Sequence, residues 1–286
     1  MTWVAEEFED VDGLLERLHA LCANTNEDMA ACRGQADSNW PLEASIDRLQ
    51  APDSDYHTRL AEERAILHKF WVRSEKYLGA NERDRVEGHL AKNSISAWPV
   101  LQHYRAPTRL LDWTRSPYVA LYYAAIHRHE RDGTVWWFKH KPFEDGVDRR
   151  WDLYHMNRDP VTRAVNLSDT AFNPDGPKWI SILECAPKFH RIEVQQGFFT
   201  VAGRLGLNHA ELIEDVMSGA KSGAQSPQYG KIIVRAWLKQ PILDRLKTMN
   251  IHSRSLDYPG ADLVGKELSR ELEEARRCAS IERKRS

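Results

Sequence analysis

The run Gln102-His103-Tyr104-Arg105-Ala106-Pro107-Thr108-Arg109-Leu110-Leu111-Asp112-Trp113-Thr114 constrains the fold more than any other part of this chain. Charged and amide side chains alternate there with leucine, tryptophan and threonine, a mixture too apolar and too turn-marked for an ordinary surface segment. Pro107 has no backbone N–H to give, so a short helix carrying Trp98, Leu101 and Gln102 has to end before it. From Thr108 to Thr114 the run reads as a strand. Ser116-Pro117 follows as an N-cap with proline at the first helical position. Val119, Ala120, Tyr123, Ala124 and Ile126 then continue as a helix whose small residues let it lie close against a sheet.

A second polar cluster stands far upstream. Met29-Ala-Ala-Cys32 predicts a short buried strand leading into Arg33-Gly34-Gln35. A basic residue beside a backbone-permissive glycine, joined by a polar strand, is what a site for an anionic ligand needs. Plain packing is the competing expectation, with Arg33 paired to Asp37 or Glu43 and a buried Arg109–Asp112 pair. Arg109 and Asp112 stand three apart and point to opposite faces of a strand. Each therefore needs another partner if buried, because an unpaired buried charge is costly. Asp112 is open to a catalytic or a structural role, Arg109 leans to a structural one, and His103 is a site residue or a satisfied core imidazole. Gln196-Gly197 is the best third element, since glycine permits close backbone approach, although a bulge would use it too.

The remaining pattern sorts into helices first and most strands later. Phe8, Val11, Leu14, Leu15, Leu18, Leu21 and Cys22 predict an amphipathic helix over about residues 8–23. Leu60, Leu67, Phe70, Trp71, Tyr77 and Leu78 give a second helical face. Strands are expected at Gly133–Lys139, Trp179–Glu184, Arg191–Gln195 leading into Gly197–Thr200, and Lys231–Trp237. Residues 140–178, marked by Pro142, Gly146, Pro160, Pro174, Gly176 and Pro177, read as a long surface excursion, with room for a short helix. Ile242–Met249 and Leu263–Cys278 look helical, and Arg283–Ser286 reads as a frayed tail. Helices before strands favour an α+β architecture over a doubly wound parallel sheet.

Net charge is −2 over 286 residues, so there is no overall pull toward nucleic acid or an anionic membrane. Cys22, Cys32, Cys185 and Cys278 lack Cys-x-x-Cys spacing, which points to reduced thiols in a cytoplasmic setting rather than a zinc ribbon or a disulfide framework. The acidic N-terminus does not resemble a secretory signal, and no apolar run approaches the ~20 residues of a membrane span. No Gly-x-x-x-x-Gly-Lys-Ser/Thr, Gly-x-Gly-x-x-Gly, Gly-x-Ser-x-Gly or His-Glu-x-x-His occurs. His127 and His129, two apart on a helix, point to different faces and do not suit a shared metal ion.

Taken together, Cys32-Arg33-Gly34-Gln35, Trp40-Pro41-Leu42, Ser45 with Arg48, and Gln102 to Thr114 resemble the FRG domain family, with Cys32 where that family carries an aromatic residue. Ser116 to Ala125, Arg191 through Gln196-Gly197-Phe198, and Asp257-Tyr258-Pro259-Gly260 are similar to its later motifs, so the resemblance spans about residues 30–270. It implies a lead-in over 1–28, an FRG domain over 29–275 and a basic tail over 276–286. The order of the pieces also resembles, more distantly, the ADP-ribosyltransferase fold. That likeness implies an α+β single domain with a split, mostly antiparallel sheet and N-terminal helices packed on it.

On this resemblance the chain is expected to cleave the nicotinamide–ribose bond of NAD and to act on a macromolecular acceptor or on NAD itself, as a bacterial toxin or phage-defence effector. Arg33, Asp112, Thr114 and Gln196 would be the catalytic set. Arg33, Gly34, Gln35, Thr108, Arg109 and Tyr123 would hold the dinucleotide, with Tyr122 as the other ring for nicotinamide and Gln195 as the other amide. Of the adjacent Tyr122 and Tyr123, one is expected in the core and the other in the cleft. Two alternatives stand beside it: a non-catalytic nucleotide- or nucleic-acid-binding module using the same cleft, and a metal-dependent nuclease with Asp112 and Glu193 as ligands. Glu193, two before Gln195, would share that residue's face of a strand.

Overall fold

The computed structural model describes residues 3–22, 29–51, 53–74, 87, 95–153, 167, 169–184, 190–218 and 227–256. Tyr77, Leu78, Asp257–Gly260, the expected helix Leu263–Cys278, the tail from 276, Cys185 and much of the later part of 140–178 lie outside these.

Strands β1 (Ala5–Glu7), β2 (Ala30–Gln35), β3 (Leu110–Thr114), β4 (Gly133–Lys139), β5 (Ile180–Leu183), β6 (Gly197–Ala202) and β7 (Tyr229–Val234) form one sheet in the order β1-β7-β4-β2-β3-β6-β5. Every neighbouring pair is antiparallel except β1 with β7. The pairing of β2 is lopsided. With β4 it runs from Ala30↔Lys139 to Gln35↔Thr134, whereas with β3 it meets at Cys32↔Thr114. Two well-knit halves of a mixed α/β structure thus join at a narrow neck, and the expected polar residues sit on the strands that make it.

Side-chain alternation on β2 assigns the two faces. Ala30 and Cys32 look toward α1 (Val11–His19), α4 (Pro117–Ala125) and α8 (Lys239–Thr248), sharing a core with Leu14, Leu18, Ala120, Ala124, Ile242 and Leu246. Ala31 looks the other way, toward Trp113, Trp136, Phe138 and the helices α5 (His140–Leu153) and α7 (His209–Ser218). The small-residue face of α4 lies where the sequence puts it. A Cβ on Gly34 would come within 1.8 Å of the Ala120 carbonyl oxygen, so helix and strand touch backbone to backbone. Ser116 caps α4 by accepting from the Val119 N–H at 3.3 Å, with Pro117 at its first position.

Two sequence expectations are corrected. The helix allowed within 140–178 is α5, His140–Leu153, and it is packed rather than a surface excursion: Phe143 and Val147, four apart, bury one of its faces. Pro142 falls in the first turn, where its missing N–H costs nothing. Gly146 is a close-packing point: a Cβ there would meet Val216 at 2.6 Å. The segment before Gly197 is one helical turn, α6 (His190–Val194), not a strand. Ile192 and Val194 fit a period of two, yet the Gln195 and Gln196 N–H groups close back onto Arg191 and Glu193 at 3.0 Å each. The lead-in also does more than the sequence suggests, since β1 extends the sheet alongside β7. Among the described residues no helix is long and apolar enough to cross a membrane.

Candidate functional site

Strand β3 is buried at Leu110, Leu111, Trp113 and Thr114 and exposed at Asp112 alone. An aspartate is a poor strand former, so its presence in mid-strand needs another reason. Helix α3 (Trp98–His103) delivers Gln102, whose Nε2 donates to Asp112 Oδ2 at 3.0 Å. The amide is itself oriented, because the buried Thr108 hydroxyl donates to Gln102 Oε1 at 2.5 Å. Thr108 is pinned in turn by Ser45, which accepts from its N–H at 3.0 Å and donates to its carbonyl at 3.1 Å. Asp112 therefore ends a chain of fixed dipoles.

From the other side of the neck comes Arg33. Its Nη1 donates to the Asp112 carbonyl at 2.7 Å and lies 3.7 Å from the carboxylate. Where β2 and β3 part, the guanidinium takes up a strand carbonyl that a longer ladder would have satisfied. The Arg33 side chain is 18% exposed and that of Asp112 is 53% exposed, so the pair faces solvent from a buried root. Burial lowers the pKa of Arg33, Asp112 opposes the shift and Arg48 adds to it. The expected partners Asp37 and Glu43 are not its partners.

Arg109 is corrected from dinucleotide ligand to structural residue. It is fully buried, with Nε donating to Glu63 at 2.8 Å, Nη2 bonded to the same carboxylate, and Nη1 donating to the carbonyls of Ala171 and Gly203 at 3.0 Å each. Its guanidinium also lies 4.7 Å from the Trp98 ring centroid. Burial would lower its pKa, but the charge and hydrogen bonds of Glu63 outweigh that and the net direction is upward. Glu63 was legible in retrospect: it sits three after Leu60 and four before Leu67, on the buried face of α2 (Tyr56–Ser74).

Gly34 and Gln35 are corrected likewise. Gly34 serves the helix–strand contact already described. Gln35 is buried, donating to the Pro41 carbonyl at 3.0 Å and accepting from Trp136 Nε1 at 2.7 Å. Thr108 is buried and reaches the site only through Gln102. Thr114 spends its hydroxyl on local structure, donating to the Gln195 carbonyl at 2.6 Å and accepting from the Ser116 N–H at 3.0 Å.

The third element lies beside the end of β3. Thr114 is paired with Gly197, and the Arg115 N–H donates to the Gln196 carbonyl at 3.0 Å. Gln196 is exposed, and its φ of 49° is a left-handed conformation that costs a non-glycine residue about 1 kcal/mol. Gln195 instead turns inward, its Nε2 donating to Tyr123 Oη at 2.8 Å and to the Leu256 carbonyl at 3.1 Å. Tyr122 is buried and Tyr123 half-buried, the division expected of neighbours on a helix, but the Tyr123 hydroxyl is engaged by Gln195. Glu193 stands exposed on α6, so it shares no strand face with Gln195. One small cavity, lined by Val147, Arg150, Trp179, Ile180 and Asp215, lies elsewhere and includes none of these residues.

Residues 29–133 match the family model described as FRG domain. That span holds Arg33, Gln102, Thr108, Arg109, Asp112 and Thr114, and stops short of Gln195 and Gln196. No curated protein and no solved structure gives a match.

Proposed function

We propose that this chain is an ADP-ribosyltransferase-like enzyme that cleaves the nicotinamide–ribose bond of NAD and transfers the ADP-ribosyl group to a protein or nucleic-acid acceptor, or acts on NAD alone. The observation that carries the reading is Asp112: a solvent-facing carboxylate on an otherwise buried strand, fixed by Gln102 and faced by Arg33. Breaking the glycosidic bond leaves its electron pair on the nicotinamide nitrogen and positive charge on the ribose. A carboxylate held beforehand where that charge develops lowers the barrier without reorganising.

Arg33 supplies the positive charge that holds the anionic part of the dinucleotide. Gln196, exposed on a strained turn beside the end of β3, has the role of orienting a ribose hydroxyl in this reading. Thr114 acts through position, tying that turn to β3 with its hydroxyl. In support, β2 with Arg33 and β3 with Thr114 are neighbours in the sheet, and Gln196 immediately precedes β6, the other neighbour of β3.

The test is nicotinamide release from NAD, followed by chromatography, with and without cell lysate and chelator. Wild-type protein is expected to release nicotinamide, and Asp112→Asn to do so at least ~100-fold more slowly, the scale of losing one preorganised electrostatic partner. Binding of NAD without release would favour the non-catalytic module, which the same Arg33 supports. Absence of nicotinamide release together with chelator-sensitive cleavage of nucleic acid would favour the nuclease reading, which needs a second carboxylate other than Glu193.

A further inference from the structure

Helix α3 and strand β3 are joined by a turn that folds the chain back on itself. The Ala106 N–H reaches the Leu101 carbonyl at 2.9 Å and the Arg105 N–H the Gln102 carbonyl at 3.0 Å, with Arg105 at a φ of 62°. A left-handed residue is a common way to end a helix, and glycine is the usual one; arginine holds it here at a cost in backbone strain. This turn sets Gln102 against Thr108, six residues on. The helix is anchored by burial of Trp98, Pro99, Val100 and Leu101, and the buried Arg109 guanidinium lies 4.7 Å from the Trp98 ring centroid. Thr108 and Arg109, adjacent in sequence, therefore hold α3 near opposite ends, one by Gln102 and the other by Trp98.

The polarity of the Gln102 amide follows from the groups around it. Thr108 Oγ1 accepts from the Leu110 N–H at 3.2 Å, and its own proton is left for Gln102 Oε1, 2.5 Å away. Nε2 is thereby turned toward Asp112 Oδ2 at 3.0 Å, an assignment made from the hydrogen-bond network. A flipped amide would set its carbonyl oxygen against the carboxylate, two acceptors with no proton between them. Arg33 Nη1 lies by the same carboxylate oxygen, 3.7 Å from Oδ2. Gln102 and Arg33 thus both address Oδ2, and among the described residues no hydrogen bond goes to Oδ1. With the Asp112 side chain 53% exposed, Oδ1 is the oxygen open to a ligand.

We propose that Gln102 and Thr108 are positioning residues that act through Asp112: the Thr108 hydroxyl fixes the amide, the amide occupies Oδ2, and Oδ1 is left aimed at the positive charge or hydrogen-bond donor of the ligand. The proposal rests on the NAD-cleaving reading only for the reaction, in which that charge is the one developing on the ribose. Neither residue touches the ligand. Their contribution is that the carboxylate needs no reorganisation when the charge appears.

The experiment measures nicotinamide release from NAD by the full chain in wild type, Gln102→Ala, Thr108→Val and Thr108→Ser, and records the Gln102 side-chain amide resonances by nitrogen NMR in wild type, Asp112→Asn and Thr108→Val. Gln102→Ala and Thr108→Val are each expected to lower kcat by about tenfold while KM stays within about twofold, as loss of one charge-assisted hydrogen bond felt only in the transition state does. Thr108→Ser keeps the hydroxyl and should recover most of that loss, which a purely packing role for Thr108 would not give. The amide resonances should shift in both Asp112→Asn and Thr108→Val. Should Thr108→Val fail to fold, Gln102→Ala at the half-buried end of α3 decides. Wild-type kcat in folded Gln102→Ala, or a raised KM with kcat unchanged, overturns the positioning role. Shifted amide resonances without nicotinamide release from wild type keep the aimed carboxylate and remove NAD cleavage. Release with amide resonances unmoved by both substitutions does the reverse.

Discussion

Arg33, on β2, and Arg109, just before β3, are the same side chain, and their surroundings have made opposite use of them. Arg109 is enclosed by Glu63, two carbonyls and the Trp98 ring, with Nε, Nη1 and Nη2 all engaged. Arg33 holds one carbonyl, looks across at one half-exposed carboxylate and, among the described residues, keeps a buried Nε without a partner. The guanidinium pKa moves up at the first and down at the second. A charge whose partners are all internal stabilises a fold. One whose internal partners are too few is positioned to receive an external one.

The contrast can be broken most forcefully at Arg109. Arg109→Ala leaves Glu63 buried and unpaired and is expected to cost about 3–5 kcal/mol, read as a shifted urea midpoint or as failure to fold. Arg33→Ala should cost less than about 1 kcal/mol by the same measurement, because Asp112 faces water and its carbonyl can be solvated there. Comparable losses at the two positions would erase the distinction between them.

A pH series sharpens it from the Arg33 side. His209 resists protonation to about pH 3 in the folded state, against an ordinary value of 6.5. As pH falls through 6.5 the unfolded chain takes up a proton that folded His209 refuses, so stability declines from there toward pH 3. In His209→Asn that part of the decline should be missing, and in Arg33→Ala the window should narrow from its acid end. Identical slopes in wild type and His209→Asn would show that the imidazole is not held neutral. The smallest effect belongs to Gln196→Gly, which relieves a left-handed φ and is expected to raise stability by up to about 1 kcal/mol while slowing nicotinamide release. Slower turnover with higher stability would mark Gln196 as a residue kept for its side chain.

Much of this was written in local pattern. Pro107, Ser116-Pro117 and the small residues after them specify helix, strand, cap and helix in that order, and β3 and α4 follow within two residues. Opposite pointing made an Arg109–Asp112 pair awkward, and each has another partner, Glu63 and Arg33. Short segments failed where two periods fit equally well: Ile192 and Val194 satisfy a strand and a single helical turn alike, and only the closure of Gln195 and Gln196 decides. Gly146 looked like a loop marker because nothing local says that Val216 will pack against it. Glu63 carried a signal, a charge within an apolar stripe, but its partner lies 46 residues away.

The chain's own residues thus determined which segments are strands and helices, since propensity, caps and apolar spacing act over a few neighbours. They also marked the polar residues too expensive to bury without cause. Tertiary structure alone decided which of those charges meet: that Glu63 closes around Arg109, and that Arg33 crosses the neck to Asp112. Coulomb and hydrogen-bond energies depend on distance in space, and only the folded sheet sets those distances.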